Sequence, residues 1–513
     1  KPPSRSPGTG GENPFQIDYA GANAGSEAVP AFTHVIFQAN DALTEAVPGI
    51  APKAPTVKAE ETDLYEWSNG KLHLVNVLPG NATAAPNAVI GSGSLIADFG
   101  FDHAISDDGS RVFWSTKSDG QVYVREGGTA TTKVPDPGKF LTATPDGAKV
   151  LLADGKLYDL EAKTTTDLTS GAGGFQGMAG ASEDLSRVYF VDTEALTPPE
   201  EENAEGEIAS KGAFNLYLWK EGAVSFIGAL AAIDNHPAGG VKLSTWAAVP
   251  GDRLAKVSAD GRFLAFESTA PLTGYDNTVR EAAGCAILSK EGFPGCFEVF
   301  EYDALNGSLI CVSCNPSGQR PLGTSNLSLI NADSEFFPQP DNLPPLGEGR
   351  LFFESLDTLT PADENGRTQD VYEYEPSGVG GCTRVKGCLS LISSGKGPKD
   401  SWFIDASDTG RDAFFATHDQ LLPADQNDFM DLYDARAGGG IEEPPLPTPC
   451  EGEACPGPVP NPPEAPGAGS STLQVNEPPP PRPCAKGKVR RHGKCLKRPR
   501  RHRHAHHKRG GAR

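Results

Sequence analysis

Short runs in which apolar and polar residues alternate recur along the chain, and each is introduced by a cluster of Ser, Asp and Gly. They read SDDGSRVFWST from Ser106 to Thr116, SADGRFLAFEST from Ser258 to Thr269 and SDTGRDAFFATHDQLLPADQN from Ser407 to Asn427. Alternation with period two predicts β-strands, and the polar clusters predict the turns that introduce them. In such turns a Ser or Asp side chain accepts backbone N–H bonds, and Gly takes the positive φ that β-branched residues resist. A phrase that returns along one chain predicts a repeat architecture.

Aligning the residue after the turn gives seven copies, at His34, Arg111, Lys149, Arg187, Arg262, Arg350 and Arg411. Each is followed by an apolar strand such as VFWST or FLAFEST. A third strand of the DLYEW, NLYLWK or DVYEYE kind comes next, and a fourth is seen in LHLVNVL, AVSFIGAL, SLICVSC and LSLISS. Four antiparallel strands per unit is the plan of a propeller blade. The expected fold is therefore all-β, a seven-bladed β-propeller of four-stranded antiparallel blades over residues 32–440. Spacing between copies runs from 38 to 88 residues, which places the excess in loops, the largest at 45–61, 197–212, 233–255, 275–295 and 316–346. The seventh copy ends at DLYDARAGGG with no clear fourth strand. Residues 1–31 contain the strand-like FQIDY, and it is expected to join the last blade and close the ring. Residues 441–483 are Pro-rich and read as an extended linker, and 484–513 as a disordered basic, His-rich tail.

Charge divides the chain the same way. The net charge is −22, yet fourteen Lys and Arg and no acid lie after Glu477, which leaves the rest at about −36. An acidic body repels nucleic acid and anionic lipid, so contact with a polyanion falls to the tail, through Lys486, Lys488, Arg490, Arg491, Lys497, Arg498, Arg500, Arg501 and Arg503. The basic run has no interleaved aromatic to stack on bases, so an anionic envelope polymer or surface is a better target than nucleic acid. His502, His504, His506 and His507 add weak affinity for Ni²⁺, Cu²⁺ or Zn²⁺, beside the plainer reading of a solvated tail. No apolar run is long enough for a transmembrane helix, and a start at Lys1 fits removal of a signal peptide.

The ten Cys are even in number and fall as near neighbours: Cys285 and Cys296, Cys311 and Cys314, Cys382 and Cys388, Cys450 and Cys455, Cys484 and Cys495. Short-range pairs suit disulfides in an oxidising, extracytoplasmic compartment, and their spacing is not that of a zinc ribbon or finger. Cys311 and Cys314 have the spacing of a redox dithiol. They sit on a strand end before a turn rather than at a helix N-terminus, which favours a structural disulfide.

Two loops offer oxygen ligands at alternate positions, as a Ca²⁺ loop does: Asp363, Asn365 and Asp370, and Asp425, Asn427 and Asp431. Neither has a full ligand count, and the same residues suit Asx turns. No G-x-S-x-G, H-E-x-x-H or G-x-x-x-x-G-K-[ST] motif is present. The repeated Arg residues share one repeat position and read as structural.

The hairpin phrases, with LTPADENG and DVYEYE between Leu359 and Glu375, resemble the WD40-like (TolB-like) propeller repeats of periplasmic and secreted bacterial proteins over about residues 33–436. The basic end is similar to tails on secreted proteins of high-GC actinobacteria. The resemblance implies a scaffold outside the cytoplasm and no particular chemistry. The function expected is a monomeric, non-catalytic binding scaffold for a protein or envelope polymer. The alternatives are a propeller enzyme, a glycan hydrolase or lyase with its site at the channel mouth, and a structural repeat protein without a ligand.

Overall fold

A computed structural model describes residues 15–58, 61–92, 103–117, 120–135, 138–235, 255–279, 285, 295–327 and 340–439, and the backbone alone of 488–491 and 494–497. Seven antiparallel sheets follow one another, each a meander of chain neighbours. The first holds β1 (Ile17–Ala22), β2 (His34–Ala39), β3 (Asp63–Ser68) and β4 (Lys71–Leu74), and the second β5 (Ala88–Ile90), β6 (Arg111–Thr116), β7 (Val122–Glu126) and β8 (Ala130–Lys133). The third holds β9 (Phe140–Ala143), β10 (Lys149–Leu152), β11 (Lys156–Asp159) and β12 (Thr164–Asp167), and the fourth β13 (Phe175–Ala181), β14 (Arg187–Asp192), β15 (Phe214–Lys220) and β16 (Ala223–Leu230). In the fifth are β17 (Ala255–Val257), β18 (Phe263–Ser268), β19 (Glu298–Asp303) and β20 (Ser308–Cys311), and in the sixth β21 (Ser325–Asn326), β22 (Leu351–Ser355), β23 (Asp370–Glu375) and β24 (Cys388–Leu391). The seventh has three strands, β25 (Ser401–Ala406), β26 (Asp412–Thr417) and β27 (Asp431–Arg436).

These are the blades of an all-β propeller, and the only helix among the described residues is a 3-10 turn at Ala232–Asn235. Their middle strands are buried on both faces, as all six residues of β18 and of β19 show. Such a strand carries an apolar side chain toward each neighbouring blade, which explains the near-continuous apolar runs. Phe113 meets Phe140 across one joint at 5.3 Å, and Phe352 stacks on Phe403 across another at 5.2 Å. Burying each such ring stabilises the fold by about 2 kcal/mol. Buried clusters join every consecutive pair of blades from the first to the seventh. Among the described residues none joins the seventh to the first, where Leu432 is 62% exposed, Tyr19 64%, Ile17 54% and Trp67 48%.

The strand expected to close the ring lies elsewhere. β1 pairs with β2, Tyr19 opposite Phe37, so residues 17–22 are the first strand of the first blade rather than a patch on the last. The pairing is local, reached through one loop, and therefore costs less loop entropy than a partner some four hundred residues away. In the basic tail β28 (Lys488–Arg491) pairs antiparallel with β29 (Lys494–Lys497), Val489 opposite Leu496.

The tight turns between first and second strands form a lock on one rim. Ser106 Oγ donates to Asp108 Oδ1 at 2.7 Å and accepts Arg111 N–H at 2.9 Å, while Gly109 N–H closes the turn on Ser106 O. The same set recurs at Thr144–Asp146–Lys149, Ser182–Asp184–Arg187 and Ser258–Asp260–Phe263. It also corrects the alignment: the fifth and seventh counterparts of Arg111 are Phe263 and Asp412, not Arg262 and Arg411, because Ser258 and Ser407 Oγ accept the N–H of those residues. Three of the counterparts donate to a carbonyl of the next blade. Arg111 and Arg187 donate to Asp146 O and Asp260 O, and Arg350 to Gly410 O, at 2.7–2.9 Å. A Cβ on Gly109 would lie 2.3 Å from the His34 ring, on Gly261 2.9 Å from Arg187 and on Gly349 2.7 Å from Phe263.

Candidate functional site

The loops from second to third strands emerge on the opposite rim, and this rim holds most of the chain length beyond the blades. Each third strand of the Asp/Asn-x-Tyr kind anchors its loop. Tyr65, Tyr217, Tyr372 and Tyr433 donate to the carbonyls of Asp41, Glu194, Asp357 and Asp419, and accept the N–H of Leu43, Leu196, Leu359 and Leu421. The partner segments share an acid-x-Leu pattern, Asp41-Ala-Leu43, Glu194-Ala-Leu196, Asp357-Thr-Leu359 and Asp419-Gln-Leu421. Burial raises the Tyr217 hydroxyl to about 12 and Tyr65, Tyr372 and Tyr433 upward likewise, so all four stay neutral donors.

The Ca²⁺ candidates sit inside these clamps. Asp363 Oδ2 lies 2.5 Å from the Tyr372 hydroxyl, and Asp425 Oδ2 2.7 Å from that of Tyr433. Asn365 N–H and Asn427 N–H each donate to the preceding Asp at 3.3 Å, Asp370 accepts from Ser393 Oγ, and Asp431 Oδ2 is buried without a partner. Burial lifts Asp363 to about 6, with Asp370 adding to the effect. Among the described residues the ligand atoms of three His, Cys, Asp or Glu come within 4.8 Å of one another only at Glu298, Cys311 and Cys314.

Beneath the loops, single acids stand in apolar strands and bridge blades. Glu267 on β18 accepts Leu327 N–H at 2.6 Å, and Glu354 on β22 accepts Phe403 N–H at 2.7 Å, each from the first-strand region of the next blade. Burial raises Glu267 to about 8, with Glu354 and Asp234 adding like charge. Asp234 itself accepts Ser268 Oγ, Thr269 N, Thr269 Oγ1 and Ala231 N at 2.6–2.9 Å. These acids are not among the residues expected from motifs. For Glu267 and Glu354 the signal was one Glu inside an otherwise apolar strand, in FLAFEST and LFFESL.

Disulfides join Cys285 to Cys296, Cys311 to Cys314 and Cys382 to Cys388, with Cα–Cα distances of 5.4–5.6 Å, as spacing predicted. Cys450, Cys455 and Cys484 lie outside the described residues, and of Cys495 only the backbone is described. Of the basic tail residues, Lys488, Arg490 and Arg491 lie on β28 and Lys497 on β29, while Lys486, Arg498, Arg500, Arg501 and Arg503 fall outside. Of the repeat-position basic residues Arg111, Arg187 and Arg350 serve the blade lock, and Arg262 instead pairs with Asp303 through two bonds of 3.0 Å. Hydrogen bonds of the ring nitrogens of His34 and His418 go to Glu66 and to Asp428 O. Among the described residues no helix is long and apolar enough to cross a membrane.

No family model matches the sequence, and no curated protein does either. Solved structures with a similar course include the tricorn protease, 12% identical with a TM-score of 0.33, over 78% of this chain and 38% of that one. TolB from Acinetobacter baumannii is 13% identical with a TM-score of 0.22, over 58% of this chain and 56% of its own. Oligogalacturonate lyase from Vibrio parahaemolyticus is 9% identical with a TM-score of 0.31, over 70% and 81%. The chain thus spans less than two thirds of the tricorn protease and TolB chains.

Proposed function

We propose that this protein is a non-catalytic binding scaffold of the cell envelope or the secreted space, with the long-loop rim facing a protein or polymer partner and the basic tail retaining it on an anionic surface. The observation that carries the reading is the division of labour between rims: repeat chemistry is spent on the turn rim, and the loops of individual length are anchored one by one on the other. Three disulfides within the described residues support an oxidising compartment. The acids of 363–370 and 425–431 stiffen the loops through tyrosine and turn contacts, which supports a protein-contact role for them over a Ca²⁺ site.

The test uses the full chain with Lys486, Lys488, Arg490, Arg491, Lys497, Arg498, Arg500, Arg501 and Arg503 replaced by Ser. Sedimentation with isolated bacterial envelope at low salt is expected to fall at least about tenfold, as loss of several phosphate-like contacts implies. Equal retention of the two proteins would remove the tail from the reading, and hydrolysis of envelope glycan by either would replace the scaffold with an enzyme.

A further inference from the structure

The CVSC segment leaves β20 through Cys311 and crosses to Cys314, so its disulfide lies on the loop rim of the fifth blade. Both cysteines are half-buried. Beneath them Glu298, the first residue of β19, is 1% exposed. A carboxylate oxygen of Glu298 lies within 4.8 Å of both sulfurs. One oxygen, Oε2, accepts the hydroxyl of Ser313, which sits between the two cysteines, and Ser313 Oγ also accepts Val299 N–H at 2.8 Å. The other, Oε1, is buried with no hydrogen-bond partner. The staple gives that oxygen no partner, and a buried acceptor left unpaired is destabilising.

We propose that Cys311–Cys314 is a redox-active disulfide open to thiol reductants, and that Glu298 is its internal proton donor. Burial, with Asp357 adding like charge, holds the Glu298 carboxyl well above the usual range against the opposing Ser313 bond, so the group carries a proton. The thiolate of a reductant attacks one sulfur of the pair and forms a mixed disulfide. The S–S bond breaks, and its electron pair goes to the other sulfur, which takes the Glu298 proton and leaves as a thiol. A second thiol of the reductant attacks the mixed disulfide, expels the remaining cysteine and becomes the oxidised partner, while the proton it gives up completes the second Cys thiol and solvent returns one to Glu298. Two electrons pass, one disulfide is reduced and one is formed. Proton delivery is what lets a half-buried thiolate leave. This rests on the fifth-blade geometry and is independent of what the loop rim binds.

The test treats the oxidised full chain with limiting dithiothreitol, traps thiols with iodoacetamide at intervals and quantifies each cysteine peptide by mass spectrometry. Cys311 and Cys314 are expected to be labelled before Cys285 and Cys296 and before Cys382 and Cys388. Glu298→Gln keeps the shape and an acceptor for the Ser313 hydroxyl but has no proton to give, and is expected to slow labelling of Cys311 and Cys314 at least about tenfold while Cys382 and Cys388 keep their rate. Labelling of Cys311 and Cys314 together with or after the other pairs overturns the proposal, as does an unchanged rate in a folded Glu298→Gln protein. Should that variant not fold, the order of labelling in the unaltered chain decides alone.

Discussion

Gly261 and Gly206 have nearly the same backbone, φ +68° and +73°, but stand on opposite rims in unlike surroundings. A Cβ on Gly261 would meet Ser182 at 2.7 Å and Arg187 at 2.9 Å from the blade before, whereas on Gly206 it would approach nothing closer than Glu202 at 3.8 Å. Gly366, in the loop of the sixth blade, has open space around it. The turn rim is thus a continuous bearing, each turn fitted to a side chain of its predecessor. The loop rim is a row of separate anchors, four of them tied to their own blade by a tyrosine. Repetition marks the first because all blades must fit one another, and variety marks the second because nothing requires the loops to match.

The sharpest way to break that contrast is to add one methyl group to each rim. Gly261→Ala is expected to lose about 3 kcal/mol, from positive-φ strain together with a clash, and Gly206→Ala only about 1 kcal/mol, from strain alone. Urea unfolding of both variants checks this, and equal losses would dissolve the distinction. Next comes pH. Glu267 titrates at about 8 in the folded chain and near 4.5 unfolded, so between those values the native state holds a proton that the unfolded chain has released. Stability therefore declines as pH rises from about 5 to 8, and Glu267→Gln is expected to flatten that part of a plot of Tm against pH. Ser258→Ala is expected to cost about 1–2 kcal/mol, through the lost acceptor for Phe263 N–H and the lost donor to Asp260. The smallest effect is that of millimolar Ca²⁺, for which calorimetry should show no heat at the 363–370 and 425–431 loops; measurable heat would turn those anchors into a metal site.

Turn chemistry and alternation were enough to read the blades, because both are local and repeat. The fourth strands β8 and β12 escaped notice, since ATTK and TTTD are exposed outer edges with no apolar alternation to betray them. β21, only Ser325–Asn326, is too short to carry a period. Aligning on Arg misplaced the fifth and seventh copies by one residue, because Arg262 follows Gly261 directly where Ser110 stands between Gly109 and Arg111. The acids at 363–370 and 425–431 were visible, but their tyrosine partners, at Tyr372 and Tyr433, were not recognised as such from spacing alone. Glu298 shows what sequence withholds most: nothing in EVFEYD says that a disulfide beginning thirteen residues on will fold back over it.

The bearing on the turn rim also has a direction. His34 rests on the second blade, Arg111 on the third, Arg187 on the fifth, Phe263 on the sixth and Arg350 on the seventh, always from earlier to later in the chain. Glu267 and Glu354 reach the same way. A polypeptide delivered N-terminus first thus finishes each blade with a half-made joint already offered to the residues still arriving. Assembly can advance like a ratchet, one blade at a time, with contacts only between neighbours in sequence and few long-range searches to slow it.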